Sequence, residues 1–102
     1  MSVILLRQQV KQGSVDQAEA AARELFAALA RVRPEGIRYA STRVTDSPTF
    51  VAVVELPDEG EDPRLAIPEY RRFLEQVKDW VDGPPEIEQL DVVGSYNLFG
   101  GT

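Results

Sequence analysis

The chain has 102 residues, 43% hydrophobic and 27% charged, which suits one globular domain over residues 1–102 and argues against disorder. Its formal charge of -6 argues against nucleic acid and anionic membrane as partners, because both are bound through surplus Lys and Arg. With no cysteine and no histidine it lacks a disulfide, a thiol nucleophile, the commonest general base and the usual haem ligand.

The opening run, Val3 to Leu6, is too short for a signal peptide or a membrane span and has no basic residues before it, so a cytoplasmic location is expected. Residues 3–11 read as a first strand with Ile4, Leu6, Gln8 and Val10 on one face and Val3, Leu5, Arg7, Gln9 and Lys11 on the other. Gln12-Gly13 breaks it. Ser14 with Gln17 has the spacing of a capping box. Val15, Ala18, Ala22, Leu25, Phe26, Leu29 and Val32 then recur at three and four, the stripe of a one-sided helix that stops at Pro34-Glu35-Gly36.

Residues 37–44 form a second, polar strand, with Ile37, Tyr39, Ser41 and Arg43 opposite Arg38, Ala40, Thr42 and Val44. Thr45-Asp46-Ser47-Pro48 returns the chain as a hairpin into a third strand. There Phe50, Ala52, Val54 and Leu56 face one way and Val51 and Val53 the other, so both faces are apolar and both need cover. Four acids, Asp58, Glu59, Glu61 and Asp62, read as a solvated loop. Ile67-Pro68-Glu69 opens a second helix whose stripe is Tyr70, Phe73, Leu74, Val77, Trp80 and Val81, and Asp82-Gly83-Pro84-Pro85 is expected to end it. The last strand is expected over about 88–98, with Leu90, Val92, Gly94, Tyr96 and Leu98 on one face.

The order β-α-β-β-α-β predicts an α+β, ferredoxin-like fold, a four-stranded antiparallel sheet with strands one and three central and both helices on one face. Two helices, each roughly 10 Å wide, cover one side of a sheet roughly 19 Å across and leave the other bare. A bare apolar face predicts a homodimer joined through the open side of the sheet, with the C-terminal strand reaching toward the partner.

The element order, the aromatic second helix with Trp80 and the closing VVGSYNLF resemble the dimeric α+β barrel superfamily, in particular the antibiotic biosynthesis monooxygenase family, over essentially the whole chain. The resemblance implies a pocket between helices and sheet, and oxygenation of small aromatic, phenolic or quinol-type substrates without an added cofactor. Haem-degrading relatives bind iron through a helix histidine, which this chain lacks. The expected cofactor set is therefore none.

Candidate ligand-binding residues are Arg38, Tyr39 and Arg43 on the second strand, Tyr70 and Trp80 on the second helix, and Asn97 near the end. An arginine can stabilise a developing phenolate, and an aromatic can stack on a flat ligand. The plainer account makes the arginines surface ion pairs and the aromatics core. Two functions follow, a cofactor-independent monooxygenase or related cyclase, or a non-catalytic dimeric ligand-binding or assembly module.

Overall fold

A computed structural model describes residues 2–98. Strand β1 (Ser2–Gln9), helix α1 (Val15–Val32), strands β2 (Arg38–Arg43) and β3 (Thr49–Leu56), helix α2 (Pro68–Val77) and strand β4 (Glu86–Leu90) follow in order, with short 3-10 turns at Gln12–Ser14 and Pro63–Ala66. The strands lie in the order β2-β3-β1-β4 and every neighbouring pair is antiparallel. The expected ferredoxin-like arrangement is therefore present, with the doubly apolar β3 inside and the polar β2 at an edge.

Residues directly opposite in antiparallel strands share a face. Register pairs Ile4 with Val54, Gln8 with Phe50, and Tyr39 with Val54, which fixes one face. Both helices cover that face: α1 through the Phe26 ring 4.8 Å from Tyr39 and the Arg43–Glu19 ion pair at 2.6 Å, and α2 through Tyr70 and Phe73, which share the core with Tyr39. The core is built there from Leu25, Ala28, Ile67 and Tyr70, with Phe26, Leu29, Tyr39 and Phe73 packed round them. Gln8, buried on the same side, donates from its amide to the Gly83 carbonyl at 3.1 Å, so it does not sit in the core unsatisfied.

The opposite face carries Val3, Leu5, Val51, Val53 and Ala40, with no helix over it among the described residues; Val3 is buried and the others are half-buried. Among the described residues no helix is long and apolar enough to cross a membrane.

Three expectations are corrected. Ser14 makes no side-chain capping bond, because at φ -109° and ψ 2° it ends a tight turn and its amide donates to the Lys11 carbonyl, whereas a capping serine needs extended backbone. Helix α2 stops at Val77 rather than near Asp82. Residues 80–82 are drawn to the end of β1 instead: the Lys11 amide donates to the Trp80 carbonyl at 2.7 Å and the Asp82 amide to the Gln9 carbonyl at 2.8 Å. Gly83, at φ +94°, turns the chain out of that bridge into β4 rather than capping a helix.

The last strand occupies 86–90, not 88–98. The last pair of the β1–β4 ladder is Val3 with Leu90, and among the described residues those beyond 90 pair with no strand. Val92, Val93, Tyr96 and Leu98 are exposed in consequence, Val93 completely at 101%.

Candidate functional site

The 3-10 turn Pro63–Ala66 owes its shape to Asp62, whose carboxylate accepts the Arg64 amide at 2.9 Å. An acid two residues ahead of an arginine across such a turn also brings the two side chains together. Arg64 donates from Nε to Oδ1 at 3.1 Å and from Nη2 to Oδ2 at 2.8 Å, the two-pronged geometry that suits guanidinium to carboxylate. Its guanidinium carbon lies 4.8 Å from the Tyr39 ring centre and 4.6 Å from that of Tyr70. Arg64 is thus a cation stacked against two aromatic rings, one on the sheet and one on α2, with only 11% of its side chain exposed.

Ionisation follows from this packing. Burial pushes the Tyr39 phenol up, and the charge and hydrogen bond of Arg64 pull it only partly back. Tyr70 is raised likewise by burial, against the Arg64 charge. Burial also opposes the charge on Asp62, but the hydrogen bonds and charge of Arg64 outweigh it and hold the carboxyl below its usual range. Tyr39 and Tyr70 are therefore neutral phenols beside a permanent ion pair.

Tyr39 also forms part of the wall of a half-open hollow of about 530 Å³ along the free edge of β2. Phe26 and Ser41 join it from the helix side, and Arg38, Val53 and Leu98 from the open-face side. A volume of this order suits a small molecule. A smaller groove of about 210 Å³ runs between α1 and β2 past Glu19, Ser41, Arg43 and Phe50.

The six residues singled out from the sequence are distributed as follows. Arg38 and Tyr39 line the larger hollow, although Arg38 is mostly exposed and rests 3.8 Å from Glu55. Arg43 lies in the smaller groove, paired to Glu19 and donating to the Ser47 carbonyl at 3.1 Å. Tyr70 is buried and meets Tyr39 through Arg64. Trp80 packs edge-on to Phe73, 6.4 Å between ring centres, at the opposite end of β1 from Val3 and the hollow. Asn97 is exposed at φ 45°, next to Leu98 of the hollow wall. Sequence reasoning missed Arg64 and Asp62 by counting the acidic loop as solvent-facing. The signal was Asp62-Pro63-Arg64 running straight into Leu65, Ala66 and Ile67, an acid–cation pair at the margin of an apolar stretch.

Comparison with solved structures places this geometry among known folds. A Nitrosomonas europaea protein named for antibiotic biosynthesis monooxygenases superposes with a TM-score of 0.72 at 20% identity, covering 92% of this chain and 100% of its own. One of the same name from Caulobacter crescentus CB15 gives 0.70 at 17% identity over 91% and 90%. The chain has the antibiotic biosynthesis monooxygenase-like fold. A conserved protein from Methanosarcina mazei Go1 shares that fold at a TM-score of 0.69 and 18% identity, over 88% of this chain and 91% of its own. No family model matches the sequence, and no curated protein matches it. In this antibiotic biosynthesis monooxygenase-like fold the Tyr39–Arg64–Tyr70 stack joins the outer edge of the sheet to α2.

Proposed function

We propose that the protein is a homodimeric, cofactor-independent monooxygenase of small phenolic or quinol-type aromatics, which it binds in the hollow beside Tyr39. The observation that carries the reading is that hollow: about 530 Å³, with the aromatic rings of Phe26 and Tyr39, the Ser41 hydroxyl and the Arg38 cation around it, in a chain with this fold. A flat phenol stacks on the rings while Arg38 favours its phenolate. In such a substrate a ring CH2 activated by the phenolate gives its two hydrogens and four electrons to O2. One oxygen atom becomes the ring carbonyl and the other leaves as water, so atoms and electrons balance without an added reductant.

The dimer is supported by the half-buried apolar side chains Leu5, Val51 and Val53 on the face away from the helices, and by the exposed apolar residues Val92, Val93, Tyr96 and Leu98, which have no strand partner among the described residues. Arg43 in the adjoining groove belongs to the same binding region, with Tyr70 behind Tyr39. Trp80 and Asn97 are assigned to packing and to the terminal segment.

A second reading is favoured by one observation: the space between α2 and the sheet is filled by Ile67, Tyr70 and Leu25, as in a module that binds or assembles without catalysis. Oxygen uptake with 1,8-dihydroxyanthrone separates the two. A rate above autoxidation, matched by anthraquinone formed and reduced in Tyr39→Phe and Arg38→Ala, supports oxygenation. Binding with no rate above autoxidation supports a ligand-binding module, and neither binding nor turnover overturns the oxygenase and leaves assembly as the module's role.

A further inference from the structure

We propose that Arg64 is a positioning residue for Tyr39: wedged between Tyr39 and Tyr70 and held by Asp62, it fixes the Tyr39 phenol at the wall of the ligand hollow. This deepens the proposed function and rests on it for the identity of the ligand, but the geometry stands independently. Tyr39 belongs to an edge strand with one neighbour, where a side chain is least constrained by the sheet. Two contacts constrain it instead. The Phe26 ring lies 4.8 Å away at 41°, and the Arg64 guanidinium lies 4.8 Å from the ring centre.

Arg64 is itself fixed. Tyr70 holds it at 4.6 Å, and Asp62 is bonded to the Arg64 amide, Nε and Nη2, so the cation does not swing out to solvent. The Leu65 carbonyl that follows accepts from Arg71 Nη1 at 2.8 Å, tying the same turn to α2. A buried cation already matched by a carboxylate is poorly suited to capture a second anion. Its remaining capacity is to set the plane and the ionisation of the phenol it stacks on, which is the part of this cluster that reaches the hollow. The chain thus presents a rigid neutral hydrogen-bonding phenol to a flat ligand without spending a strand-centre position on it.

The sign of one titration tests this against a merely structural role. In Arg64→Gln the nearby cation is lost, so the Tyr39 phenol ionises at higher pH. If Arg64 did not act on that phenol, its loss would admit water and move the ionisation down toward an ordinary phenol; whether this action matters to the hollow is read from ligand affinity. The full chain is titrated by tyrosinate absorbance near 295 nm, and Tyr39 is isolated by subtracting the same background carrying Tyr39→Phe. Arg64→Lys, which keeps the charge but neither the flat stack nor the fork to Asp62, guards against misfolding of the glutamine variant. Its Tyr39 is expected to move in the same upward direction by less. A downward or absent shift in the folded variants overturns the proposal.

Calorimetry with 1,8-dihydroxyanthraquinone reads the ligand side, with about tenfold weaker binding expected in Arg64→Gln. Unchanged affinity there overturns the positioning role. If the unmodified protein does not bind the probe, the functional reading falls while the titration still decides the role of Arg64.

Discussion

The two faces of the sheet are built from the same strands and solve burial differently. On the helix side Leu25 and Ala28 of α1 meet Ile67 and Tyr70 from the start of α2 and Tyr39 from the sheet, and the charge admitted there, Arg64, is held by a carboxylate and two aromatic rings. On the other side no described helix lies over Leu5, Val51 and Val53, which are half-buried, while Val3 is buried and shares the hollow with Leu98; at its margin Arg38, largely exposed, rests loosely 3.8 Å from Glu55. One face is completed within the chain. The other is apolar beyond what its own chain shelters, which is the character of a surface meant for contact.

The largest effect expected from breaking this contrast lies at the helix side. Leu25 is 1% exposed, so Leu25→Ala should cost about 3 kcal/mol in urea unfolding, with the spread that cavity formation brings. The next lies at the bare side. Val53→Glu, beside Leu5 in the register, should convert the proposed homodimer to single copies by sedimentation at micromolar concentration. Sedimentation of the unmodified protein as a single copy would remove the assembly from the account.

Acid and alkali should both act through the Arg64 cluster, with opposite signs. The Asp62 carboxyl is held below its ordinary 3.8, so its contribution is fully present above that pH and is lost as pH falls through the lower folded value. Asp62→Asn should therefore show a flatter acid limb when melting temperature is followed against pH. Tyr39 is raised above its ordinary 10.0, so its contribution is fully present below that pH and is lost as pH rises toward the folded value. Tyr39→Phe should keep more of its neutral-pH stability on the alkaline side. The smallest effect is expected for Arg38→Ala, within about 0.5 kcal/mol in stability, since an exposed pair contributes little. Its consequence should instead appear in ligand affinity.

Period and alternation were enough to read the sheet order, the covered face and the α1 stripe, because those patterns repeat over many residues and each repetition votes for the same face. The errors fall where the deciding partner is remote. Nothing local in Trp80-Val81-Asp82 says that Gln9 and Lys11 will take its backbone and so shorten α2. Likewise VVGSYNLF alternates like a strand, yet Leu90 has reached the start of β1 and the ladder has run out. For the candidate site, Arg38 and Tyr39 were legible as polar groups on an edge strand. Arg64 was not, because its burial depends on two rings that lie 25 residues before it and six after it in the chain.

The pairing of β1 also has a consequence for synthesis. Leu6 precedes both its partners, Ala52 on one side and Ile87 on the other, so one edge of this apolar strand stays open until β3 has been made and the other until β4 has. A nascent-chain protease assay should find residues 2–9 protected in two steps, the second only after Leu90 is clear of the exit tunnel.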